Sequence, residues 1–147
     1  MEMRVGAMVW KVVIGLGMAI VFSVCVVLAV ESDKVKVALS SAETWLTLVD
    51  EGRYADSWNE TAAYFRRAVK EDQWQKSLQA VRTPLGKVIS RELKTKSYHT
   101  SLPGAPDGEY VVIQFATSFQ NKKSAVETVT PMMDKDGQWR VSGYFIQ

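Results

Sequence analysis

The chain has 147 residues with 18 Lys plus Arg against 16 Asp plus Glu, a formal net charge of +2. These charges are interspersed, with no like-charge run longer than the pairs Arg66–Arg67 and Lys122–Lys123, which argues against the clustered basic face of a nucleic-acid binder. The only cysteine, Cys25, lies in an apolar N-terminal stretch, so the remainder holds no disulfide and no cysteine metal ligand.

That stretch, Val12 to Val30, is 19 residues without a charge, preceded by Arg4 and Lys11 and followed by Glu31 and Asp33. As a helix it would reach about 28 Å, close to the hydrocarbon thickness of a bilayer. Positive charge before it and acidic charge after it orient the N-terminus inward and the rest outward. An uncleaved single-pass anchor is the preferred reading. The alternatives are a secretory signal cleaved after Val27-Leu28-Ala29, whose apolar core would be long, and a lipoprotein signal at Cys25, disfavoured by Val24 before it. All three export the domain. Residues 1–30 are thus read as a signal or anchor segment and residues 31–147 as one domain. Those 117 residues carry 16 basic and 15 acidic side chains and are enough to bury roughly two-thirds of their unfolded surface.

From Asp33 the pattern is helical. Val35, Ala38, Leu39, Ala42, Trp45, Leu46 and Val49 form one stripe at 3.6-residue spacing, and Gly52 stops the helix. A second helix is predicted from Tyr54 to Ala68, with Trp58, Ala62, Phe65 and Val69 as its stripe. A third starts at Glu71 and Asp72, which suit the positive dipole end. It presents Trp74, Leu78 and Val81, and ends at Pro84 and Gly86. Beyond Gly86 the period changes to 2. Lys87 to Thr100 reads as a mostly polar strand with one wet face, and the turn cluster Pro103 to Gly108 follows. In Glu109 to Gln120, Val111, Ile113, Phe115 and Phe119 share one side. Asn121 to Lys123 forms a hairpin tip. In Ala125 to Met133, Pro131 implies an edge or a bulge, and Asp134 to Gly137 is a tight turn. The last strand, Gln138 to Ile146, is expected to alternate throughout, with Trp139, Val141, Gly143 and Phe145 on one face and Arg140, Ser142 and Tyr144 on the other. Helices followed by an antiparallel meander define an α+β domain. Its expected architecture is about three helices on a curved four-stranded antiparallel sheet.

The phrases AETWLTLVDEGRYADSW, VRTPLGKVISREL, LPGAPDGEYVVIQFATSFQNK, AVETVTPM and DGQWRVSGYFI resemble the bacterial domain-of-unknown-function family 4019, over almost the whole of residues 38–147. The resemblance implies a short exported protein with one α+β domain. It further implies a cone-shaped fold similar to nuclear transport factor 2, ketosteroid isomerase and cystatin-like proteins, with helices in the concavity of a curved sheet. It carries no catalytic residues over. The expected location is the cytoplasmic membrane with the domain on the periplasmic side, or the periplasm if the segment is cleaved.

No catalytic signature, metal site or cofactor motif emerges. His99 is the only histidine, which removes a His–His metal pair or a conventional triad and leaves it as a surface residue. No nucleophile elbow or Gly-rich phosphate loop is present. An isomerase-like site needs a carboxylate in an apolar pocket and an oxyanion donor, and Glu127, Tyr110, Tyr144 and Arg91 are the groups that fit this description. The stronger reading pairs Glu127 with Arg140 or Arg91 across strands on the wetter face of the sheet. The expected function is a membrane-tethered binding or protein-interaction module without catalysis. It is anchored through residues 12–30 and takes an unidentified protein or an apolar small molecule, with Trp45, Trp58 and Phe115 as candidate lining residues. The alternatives are a small-molecule enzyme of isomerase or dehydratase type and a purely structural envelope protein.

Overall fold

A computed structural model describes residues 30–147. Val12 to Ala29, the bulk of the apolar segment, lie outside the described residues. Among the described residues no helix is long and apolar enough to cross a membrane. Val35–Gln147 is a compact unit, and its core collects the apolar stripe of the first helix, α1 (residues 30–50), against one face of a sheet.

Among the described residues four helices rather than three precede the sheet: α1, α2 (Tyr54–Asn59), α3 (Ala63–Ala68) and α4 (Glu71–Leu85). The single helix expected over 54–68 is broken at Glu60 to Ala62. There the chain leaves the helical path to pair with the last strand. Thr61 forms a parallel bridge to Val141, and the Ala62 N–H donates to the Val141 carbonyl at 2.8 Å. The Thr61 hydroxyl donates to the Trp58 carbonyl at 2.6 Å, and the Asp134 carboxylate accepts from the Ala63 N–H at 3.0 Å to start α3. Tertiary pairing overrides a helical period that local sequence supports.

Trp45 and Trp74, each less than a tenth exposed, meet at 6.1 Å between ring centroids. A buried indole must place its N–H, and both use Ser57, which is fully buried. Trp45 Nε1 donates to the Ser57 carbonyl at 2.8 Å, and Trp74 Nε1 to its hydroxyl at 3.0 Å. On α4 the buried residues are Trp74, Leu78 and Arg82. Val81, expected on the apolar face, is 47% exposed, because Arg82 turns inward to meet charges described below.

The strands β1 (Val88–His99), β2 (Tyr110–Phe119), β3 (Ala125–Met133) and β4 (Trp139–Ile146) form an antiparallel sheet in the order β1-β2-β3-β4. Pro131 sits on the central strand β3, so the bulge rather than the edge is the outcome. Thr130 pairs with Gly143 and Pro131 with Val141, leaving Ser142 as the extra residue of β4, and its hydroxyl donates to the Thr130 carbonyl at 2.9 Å. One extra residue inverts the alternation beyond it. Trp139 and Val141 are buried as expected, but Tyr144 then faces the helices and Phe145 is 52% exposed, the reverse of uninterrupted alternation.

Gly86 links the end of α4 to the tip of the β2–β3 hairpin. Asn121 N–H donates to the Leu85 carbonyl at 2.9 Å and Gln120 N–H to that of Lys87 at 2.8 Å. At φ 73, ψ −158 Gly86 occupies a region essentially confined to glycine, and a Cβ there would lie 2.9 Å from Gln120 Cβ. Gly52 has the same φ but open space around it. Gly52→Ala should therefore cost about 1 kcal/mol, and Gly86→Ala about 3 kcal/mol or more from backbone strain plus the clash. Unfolding of the two full-length variants followed by near-ultraviolet circular dichroism checks this, and equal losses would remove the steric contribution.

Candidate functional site

Glu127 is the centre of a closed ring of polar side chains between the sheet and the helix ends. It lies on β3 opposite Phe115 of β2, on the face that carries Val129, and is fully buried. This corrects the expectation of a wet-face ion pair. Its partner is Arg91 of β1, not Arg140, which instead pairs with Asp136 and Asp134 in the β3–β4 turn. Arg91 grips Glu127 through Nε to Oε2 at 2.6 Å and Nη2 to Oε1 at 3.2 Å. The Thr117 hydroxyl donates to Oε2 at 2.6 Å, and the Tyr144 hydroxyl, brought inward by the Ser142 bulge, donates to Oε1 at 2.6 Å. Both carboxylate oxygens are therefore held by two donors each.

Asp50, the last helical residue of α1, closes the ring. It accepts from Arg91 Nη1 at 2.7 Å and Nη2 at 3.0 Å, and from Arg82 Nη2 at 2.9 Å. Arg82 lies over the Phe119 ring, 5.1 Å from its centroid, with its Nη1 3.5 Å from the Tyr144 oxygen. Two guanidinium groups and two carboxylates balance. Glu127 and Arg82 are the buried members, and deleting either leaves an uncompensated buried charge, at a cost of about 3–5 kcal/mol, whereas Asp50 is more exposed and its loss costs less.

The ring shifts its own titrations. Burial alone would raise the Asp50 carboxyl, but hydrogen bonds and charge from Arg91 and then Arg82 hold it below its ordinary 3.8. Burial, followed by the Glu127 charge, pushes the Tyr144 phenol above its ordinary 10.0. Desolvation pulls both arginines down, but Tyr144 and then Asp50 raise Arg82, and Asp50 and Glu127 raise Arg91.

An isomerase-like base must reach a bound substrate. Glu127 has the tyrosine donor such a site calls for, but it has no exposure and no unoccupied oxygen. Neither it nor Tyr144 lines either of the two clefts described next. Tyr110 is apart from the ring, donating to the Pro106 carbonyl at 2.6 Å, and His99 Nε2 lies 2.8 Å from the Ser97 hydroxyl on β1.

The larger cleft, about 810 Å³, opens between α1, α2 and the start of β4. Ser40, Ser41, Thr44 and Leu48 come from α1, Asn59 and Glu60 from the end of α2, and Gln138 to Arg140 from the hairpin, with Trp45 and Trp139 in its wall. The Ser41 hydroxyl donates to the Trp139 carbonyl at 2.6 Å, tying α1 to β4 at the cleft floor. A smaller cleft of about 390 Å³ adjoins it through Asn59, Glu60 and Arg140. Of the three residues proposed from the sequence as lining a ligand, Trp45 alone borders this cleft. Trp58 donates its indole N–H to the Val69 carbonyl at 2.8 Å, Phe115 is 2% exposed within the core, and all three residues belong to or pack against one hydrophobic cluster. The polar lining was not identified from the sequence. Its signal was the hydroxyl run Ser40, Ser41 and Thr44 in mid-helix, where hydroxyl residues have modest helix propensity.

The described residues therefore form an α+β fold of four helices and a four-stranded antiparallel meander, with an ion ring centred on the buried Glu127 and a polar cleft. Residues 41–144 match the family described as protein of unknown function, DUF4019, and the chain belongs to that family. No curated protein matches the chain.

The contribution of the depressed Asp50 carboxyl is present above its unfolded value near pH 4 and is lost as pH falls through the folded value. That of the raised Tyr144 phenol is present below about pH 10 and is lost as pH rises further. Asp50→Asn should lower stability at pH 7 by about 1–3 kcal/mol and flatten the acid limb. Tyr144→Phe should flatten the alkaline limb. Thermal unfolding across pH 2–11 (about one-unit steps) reads both, and limbs unchanged by the substitutions would show that the ring does not set them.

Proposed function

We propose that the chain is an exported, membrane-tethered binding module without catalysis, and that the 810 Å³ cleft is its binding site. The cleft carries this reading. Its size falls in the range of about 300–1,000 Å³ typical of small-ligand sites, and it joins indole and Leu48 surface to polar groups from three elements. Against catalysis stands the full occupation of Glu127 by Arg91, Thr117 and Tyr144. The apolar-ligand expectation is less well supported, since Ser40, Thr44, Asn59, Glu60 and Gln138 surround the opening and an apolar ligand would strip them of water without replacing its hydrogen bonds.

Export and tethering rest on Val12 to Val30, uncharged and flanked by Arg4 and Lys11 before it and Glu31 and Asp33 after it. In a bacterial host, a C-terminal alkaline phosphatase fusion should be active and remain with the membrane, while a cytoplasm-dependent fluorescent fusion should be dark. The opposite pair of results overturns export, and a soluble active fusion overturns the tether.

Binding at the cleft is tested with full-length protein in lipid nanodiscs and a small-molecule extract of the bacterial envelope. Relaxation-edited proton NMR should show signals attenuated by the native protein and restored by Thr44→Trp, which fills the opening. Identical spectra for the two proteins would remove the cleft as the binding site.

A further inference from the structure

The positive charges around the cleft are already engaged. Arg53 is held by Asp56 at 2.8 Å and Glu51 at 3.4 Å. Arg140 is held by both oxygens of Asp136 at 2.8 Å and by Asp134 at 3.3 Å. Lys36 is also engaged. A ligand that relied on negative charge would have to displace one of these pairs.

Among the described residues, no hydrogen bond or ion pair occupies the side chains of Ser40, Thr44, Asn59, Glu60 or Gln138, all of which border the cleft. The unengaged set is two hydroxyls, two primary amides and one carboxylate. Each amide offers two donors and a carbonyl acceptor side by side, and the carboxylate offers two acceptors. That is the complement of neighbouring hydroxyls on a ring, each of which donates and accepts. The wall beside them is apolar: Val37 is 57% exposed and Leu48 half-buried, with Trp45 and Trp139 behind. A surface of this kind suits the C–H face of a sugar ring.

We infer that the cleft takes a neutral saccharide of about two rings, a size suited to its 810 Å³. Asn59, Gln138 and Glu60 hold ring hydroxyls or an N-acetyl amide, and Val37 and Leu48 meet the carbon face. This inference rests on the cleft being the binding site, and it names the ligand class of that site. It predicts weak binding, because neutral hydrogen bonds exchanged with water give modest net affinity.

The test uses full-length protein in nanodiscs, which carry no sugar headgroup, with di-N-acetylchitobiose and cellobiose as probes. Saturation-transfer NMR at concentrations up to about 10 mM covers the affinity range expected of such contacts. At least one disaccharide should bind, and Asn59→Ala and Gln138→Ala should each weaken it by about 5- to 10-fold. Both residues are exposed, so unchanged unfolding temperatures confirm that the fold is intact. Binding that neither substitution weakens overturns the assignment of these amides. If neither disaccharide binds while envelope compounds are still released by Thr44→Trp, the saccharide inference falls and the cleft reading stands. If neither the disaccharides nor any envelope compound responds to the cleft, both fall.

Discussion

Burying the Glu127 carboxylate is the constraint around which the sheet and helix ends are arranged. An ionised carboxylate removed from water costs several kcal/mol unless donors surround it, and Glu127 is fully buried. Its four donor contacts come from three strands: Arg91 on β1, Thr117 on β2 and Tyr144 on β4. Arg91 in turn needs a second acceptor, which Asp50 at the end of α1 supplies, and Asp50 also binds Arg82 from α4. A single buried charge thereby ties both ends of the meander to two helices that are far apart in sequence.

That solution determines where a ligand has room. The helix-facing surface near Glu127 is filled by guanidinium groups, a phenol and the Phe119 ring beneath Arg82. The cleft lies instead on another side of α1, where small hydroxyl residues face the start of β4 across Asn59 and Glu60. The break between α2 and α3 contributes to this geometry. Pairing of Thr61 and Ala62 with Val141 leaves the end of α2 beside the β3–β4 hairpin rather than continuing the helix past it.

Much of the fold was legible because the relevant signals are local. The shift from 3.6 to 2 periodicity after Gly86 separates helices from strands, and Pro131 and the Asp134–Gly137 turn announce the bulge and the hairpin. The misreadings arise where a distant partner intervenes. The helical pattern across 54–68 yields to a hydrogen bond from Ala62 to a residue almost eighty positions later. The alternation of β4 yields to Ser142, whose extra position becomes visible only once β3 is laid beside it. Val81 exchanges places with Arg82 because the acceptor that draws the arginine inward is Asp50. Arg91 was one of two partners read for Glu127, Arg140 being the other, and the burial of Glu127 was not foreseen, since it depends on which face the helices cover.

By itself the sequence determined the α+β class, the extent of most elements, the family and, with Cys25 its one cysteine, the absence of a disulfide within the chain, because periodicity, turn chemistry and residue identity are properties of neighbours along the chain. Tertiary structure alone decided that Glu127 is a saturated buried ion rather than a surface one, and that Tyr144 faces inward. It also placed Trp45 at the cleft and Phe115 in the core, and gathered five unengaged polar side chains around one opening. Those outcomes depend on burial and on which groups already have partners. Both are set only when strands and helices distant in sequence come to lie within hydrogen-bonding distance of one another.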